Sequence, residues 1–205
     1  RNIMGLWLIQ EVRKNRKENG EDYTYAELAS FAAKEADPFA TLIFVDASIF
    51  IHAGGMIERI QRFAKKTNQP IPTTAGQLAQ TVFASLALQY AKTADTLVEC
   101  SNLPMPAIHI VGGGSQNEHL CQLTADISNR QVIAGPVEAT AMGNAMVQAI
   151  ALGQQEQLTD TISARALIEN SNLGLKKYDP SKDADPNTIA AVRDRYEKLT
   201  MEDMR

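Results

Sequence analysis

His109-Ile110-Val111-Gly112-Gly113-Gly114-Ser115-Gln116-Asn117 decides the fold. The run Ala107 to Val111 is rich in β-branched residues and predicts a strand. Three glycines then predict a sharp turn, and Asn117 to Ser128 has the apolar spacing of a helix. The order repeats at once. Gln131 to Ala134 predicts a second strand, Gly135-Pro136 a turn, and Ala139 to Leu152 a helix. Two strand–turn–helix units in a row predict an α/β fold with a parallel strand pair.

The glycines serve two physical ends. They permit positive φ in a tight turn, and they let a ligand approach the backbone with no Cβ in the way. The following helix start offers unpaired N–H groups and a positive dipole end, suited to a phosphate or a flat base edge. Gly112, Gly113 and Gly114 are therefore candidate binding residues, although a strand-to-helix connection without a ligand explains them equally. The stretch lacks the terminal Gly-Lys-Ser/Thr of a phosphate-binding loop and the third glycine of the dinucleotide fingerprint. Asn117 fits either a helix cap or a reader of an adenine edge, since its amide both donates and accepts. Glu138 suits the start of the next helix, and Gly143 reads as a close-packing position against the glycine loop.

Upstream, Ile3, Leu6, Trp7, Ile9 and Val12 fall at helical spacing over residues 3–19, with Gly20 closing the helix. Asn2 and Gln10 share roughly one face of it, as ordinary polar positions also would. Thr24 and Glu27 form a capping box for a second helix that ends before Asp37-Pro38. Thr41 to Val45 predicts a short buried strand, Met56 to Thr67 a helix, and Thr74 to Cys100 a long helix. Beyond Leu158 the tail is polar and mostly helical, with a last helix from about Asn187 to Leu199 expected on the surface.

The composition is that of an ordinary globular domain: 44% hydrophobic and 21% charged residues. A formal net charge of -4 argues against nucleic acid or an anionic membrane as partner. Spanning helices are not expected, because no apolar run approaches the length a bilayer needs. Cys100 and Cys121 have no metal-ligand spacing and read as reduced thiols of a cytoplasmic protein. His52, His109 and His119 form no metal or triad set, and no catalytic base stands out. The chain starts without Met inside a helical pattern, so it reads as part of a longer protein.

Four blocks together resemble one family. They are Asn2 to Gln10, Ser85 to Tyr90, His109 to Asn117, and Gly135 to Thr140 with Gly143-Asn144. The glycine loop is similar to that of the FGGY carbohydrate kinases, and the combination resembles their rhamnulose kinase branch. That resemblance implies an actin-like ATPase fold of the ribonuclease H-like type, the chain being the C-terminal half of a two-domain sugar kinase. It implies a nucleotide-binding domain over residues 1–158, a helical tail over 159–205 packed on it, and a sugar-binding N-terminal domain outside this chain. It further implies transfer of phosphate from ATP, with Mg2+, to the 1-hydroxyl of L-rhamnulose. Asn2 would touch the sugar, while Gln10, Gly112, Gly113, Gly114 and Asn117 would bind ATP. The catalytic aspartate would lie in the other domain, so this chain alone is expected to bind nucleotide weakly and to transfer no phosphate. Rival readings are a kinase for xylulose, fuculose or glycerol, and a non-catalytic actin-like module. A nicotinamide-binding domain fits poorly, because the ribose-binding acid is missing too.

Overall fold

A computed structural model of the chain describes residues 3–153, 159–170 and 175–203. Helix α1 spans Trp7–Glu18 and α2 spans Tyr25–Ala32. Thr24 and Glu27 make the expected capping box on α2, the Thr24 hydroxyl accepting from the Glu27 amide at 3.1 Å. Helix α3, Met56–Lys66, has glycine at its N-cap and takes its cap from α1 instead. The buried Asn15 Oδ1 accepts from the Met56 amide at 2.7 Å, and Glu11 accepts from the Gly54 amide at 2.6 Å. Two polar residues on the inner face of α1 therefore close a helix some 40 residues later in sequence.

Helix α4, Ala75–Ser101, is the axis of the molecule. Thr74 and Gln77 form its capping box, and Asn102 ends it in the left-handed conformation. Leu78, Val82, Phe83, Leu86 and Leu88 are fully buried in a core shared with α1, α2, α3 and α5. Strand β1, Ala107–Ile110, leads through the glycines to α5, Glu118–Ser128. Strand β2, Gln131–Ala134, pairs parallel with β1, Ala107 opposite Gln131. The predicted parallel pair is present.

The structure corrects three expectations. Thr41 to Val45 is buried but is not a strand. It has no neighbouring strand among the described residues, so side chains take the place of a ladder. The Gln69 amide brackets Leu42, accepting from its N–H at 2.9 Å and donating to its carbonyl at 2.8 Å; Ser85 Oγ accepts from the Ile43 amide at 2.9 Å. The glycines form a short 3-10 helix, Gly112–Gln116, rather than a bare turn. The tail is mostly helical, as its sequence suggests, and adds a short strand. Besides α7, Thr161–Asn170, it supplies strand β3, Lys176–Tyr178, antiparallel to β2, so the sheet order is β1-β2-β3. Its last helix, α8, runs Pro186–Asp203 and is no surface appendage. Val192, Tyr196 and Leu199 enter the main core, and the Tyr196 hydroxyl donates to Gln89 Oε1 of α4 at 2.9 Å.

Helix α6, Ala139–Leu152, buries none of its residues, and Val147 and Leu152 stand largely exposed. A Cβ at Gly143 would meet nothing within 4 Å, so this glycine is not packed against the glycine loop. Among the described residues no helix is long and apolar enough to cross a membrane.

Candidate functional site

The turns after β1 and β2 hold each other. The Gly112 amide donates to the Pro136 carbonyl at 3.1 Å, and the Gly135 amide to the Ile110 carbonyl at 2.8 Å. This cross-tie fixes where the glycine stretch begins, and the three glycines then differ in task. Gly112 has φ of +74°, a conformation other residues avoid. Gly114 has neighbours on its Cβ side: a Cβ there would lie in ordinary contact, 3.4 Å from Leu6 and 3.5 Å from Ile110. Gly113 has open space where a Cβ would stand. It is the one glycine of the three over which a ligand meets bare backbone.

That space is the wall of a cavity of about 340 Å³, large enough for a nucleoside. Gln10 from α1, Gly113 from the loop and Asn117 at the start of α5 all line it, with Tyr25, Ala26, Phe83 and Gln116. The structure thus brings together three residues singled out in sequence, one of them more than a hundred positions from the others. Gly112 and Gly114 shape the loop without lining the cavity. Asn2 lies outside the described residues.

Asn117 fills both roles left open by its sequence. Its Oδ1 accepts from the Leu120 amide at 3.0 Å and caps α5, which leaves the Nδ2 hydrogens without a protein partner among the described residues. The side chain is half-buried beside the cavity, so the free end is a donor held in place by the cap.

Sequence reasoning passed over Ala26 and Ala29 of the cavity wall and a histidine that stands beside the cavity without lining it. Ala26 and Ala29 sit three apart on one side of α2, and small side chains there keep the wall flat. The histidine is His119, which looked isolated. Its Nε2 meets Gln80 Oε1 at 2.6 Å, and its ring stands edge-on to Phe83, centroids 6.3 Å apart. Burial holds its pKa below the ordinary histidine value. Its position two residues after Asn117, on the first turn of α5, was the available signal; the Gln80 partner, 39 residues away, was not legible. His109 is exposed on β1, and Glu138 stands at the N-cap of α6 without a side-chain cap bond. Both cysteines are free, Cys100 exposed and Cys121 buried. Among the described residues no three His, Cys, Asp or Glu side chains gather as a metal set.

The chain is similar to several known proteins. The chain is 40% identical over 189 residues to the rhamnulokinase of Bacillus subtilis, covering 92% of this chain and 37% of that protein. It is 40% identical over 171 residues to the rhamnulokinase of Oceanobacillus iheyensis, covering 83% and 35%. The chain therefore spans little more than a third of the length of these curated relatives. Among solved structures it superposes on xylulose kinase from Rhodospirillum rubrum with a TM-score of 0.59 at 16% identity, covering 96% of this chain and 36% of that one. It superposes on Plasmodium falciparum glycerol kinase with ADP at 0.63 and 15% identity, covering 97% and 37%. At such low identity the superpositions establish the fold alone, the actin-like ATPase fold of sugar kinases. The model of the FGGY family of carbohydrate kinases, C-terminal domain, matches residues 1–152, and the chain belongs to that family.

Proposed function

We propose that this chain is the nucleotide-binding half of an ATP-dependent ketose kinase that phosphorylates L-rhamnulose on its 1-hydroxyl. The observation that carries the reading is the convergence of Gln10, Gly113 and Asn117 on one nucleoside-sized cavity. The likeness to rhamnulokinases favours L-rhamnulose as substrate. ATP supplies the phosphoryl group. In this reading Gly113 offers bare backbone to the nucleotide, Asn117 Nδ2 donates to it, and Gln10 closes the α1 side. Asn2 reaches the sugar. Residues 1–158 form the nucleotide domain and 159–205 the tail on it, while a catalytic aspartate belongs to a preceding domain. Mg2+ then arrives on the phosphates rather than in a cage of this chain's carboxylates. Catalysis consists of positioning and charge stabilisation in a cleft between the two domains. The protein works in the cytoplasm.

The test is ADP release by the protein carrying this chain, with MgATP and L-rhamnulose, L-fuculose, xylulose or glycerol. Preference for L-rhamnulose is expected. Preference for another of these substrates retires the substrate while keeping the kinase, and silence across the panel retires both. Two variants test the site. Asn117→Asp retains a cap oxygen and removes the donors, so KM for ATP rises by about tenfold with melting temperature nearly unchanged. Asn117→Ala raises KM similarly and also costs about 1 kcal/mol of stability.

A further inference from the structure

The cavity does not end at Gln116. Ala26, Ala29 and Gln116 line both it and a second groove, which continues between α2 and α5 past Ser30, His119 and Gln122. Its wall on α2 is flat, because Ala26, Ala29 and Ala33 recur at helical spacing. The hydroxyl of Tyr178, which also lines the groove, is buried without a protein partner among the described residues. A planar group with a polar edge is what such a slot fits.

We propose that His119 reads the 6-amino edge of the bound purine and so selects adenine nucleotides over those with a 6-oxo group. The inference rests on the nucleotide-binding reading above and deepens it. The ring's tautomer follows from its neighbours. Gln80 Nε2 donates to the Pro38 carbonyl at 2.9 Å, and a carbonyl can only accept. Gln80 must therefore turn its Oε1 to His119, and that oxygen, 2.6 Å from Nε2, requires Nε2 to carry the hydrogen. Burial keeps the imidazole neutral, leaving Nδ1 as a pure acceptor. Nδ1 has no partner among the described residues and is not sealed from solvent. Phe83, edge-on to the ring, lines the first cavity and fixes the ring's plane. A fixed acceptor pairs with the amino group at C6 of adenine. It repels the carbonyl oxygen that guanine and hypoxanthine carry there.

The experiment compares kcat/KM for ATP and inosine triphosphate in the protein carrying this chain. One hydrogen bond of this kind makes the wild type prefer ATP by about tenfold. In His119→Gln the side chain still reaches Gln80 but has no acceptor at the Nδ1 position, so the ratio falls towards one while melting temperature is nearly kept. In His119→Asn an oxygen stands near the Nδ1 position and the reach to Gln80 is lost. That variant is less stable but retains most of the preference. Equal losses for both nucleotides in both variants, or an unchanged ratio in His119→Gln, would overturn the inference and leave the kinase standing. A wild type that turns over neither nucleotide and binds neither defeats the kinase reading itself.

Discussion

Cys121 illustrates how a single position is governed by what surrounds it. It is sealed beneath the glycine loop, its Sγ 4.0 Å from the Gly114 carbonyl. Burial first, and then the charge of Glu118, push its thiol up to about 11. Thiolate is the reactive form, so buried Cys121 is inert at pH 8, whereas Cys100 lies open to a reagent. Titration with a thiol reagent should show one fast group in the native chain and a second only on unfolding; two fast groups would mean that the loop does not cover Cys121. Asn117 was readable at this scale because a cap and a ligand donor both draw on the same amide chemistry. His119 was not, since its meaning comes from Gln80 and Phe83 on another helix.

At the scale of elements, two helical glycines make opposite predictions. Gly76 lies in the first turn of α4 where α2 crosses it. A Cβ there would sit 3.1 Å from the Phe31 carbonyl oxygen and would collide with the Glu35 carboxylate. The carboxylate can swing away; the backbone of α2 cannot. Gly76→Ala therefore destabilises by about 1–3 kcal/mol, although alanine is the better helix former. Gly143 in α6 has open space, and Gly143→Ala stabilises by about 1 kcal/mol. Urea unfolding of the two variants checks both signs. The same contrast explains what the sequence disclosed. The capping box at Thr24 and the two strand–glycine units were legible, because each is settled by residues a few positions apart. The apolar run at 41–45 was misread because a strand is defined by its neighbour. Gln69 and Ser85 supplied the hydrogen bonds that a neighbour would have made. Strand β3, Lys-Lys-Tyr, is too short and too polar to announce itself.

For the whole molecule, α4 is the element everything else is built around, and α8 is what seals it. Tyr196 is 2% exposed and hydrogen-bonded to Gln89, and Lys92 donates to Thr200 at 2.9 Å close by. Asp95 of α4 further joins Arg130, ahead of β2, at 2.8 Å to Arg193 of α8. Tyr196→Ala should cost about 3–5 kcal/mol, as loss of a buried aromatic does, and Tyr196→Phe about 1 kcal/mol. Thermal unfolding checks this; a loss under 1 kcal/mol for the alanine variant would show that α8 is an appendage after all. Gln89 and Tyr196 are 107 residues apart in the chain. At the pace of protein synthesis, that separation is on the order of 5–20 s. For that interval the nascent chain has already displayed one side of α4 while the helix that covers it does not yet exist. A newborn chain is thus a natural client for chaperones that hold apolar surface, and a ribosome stalled before α8 would leave a product that degradation machinery recognises.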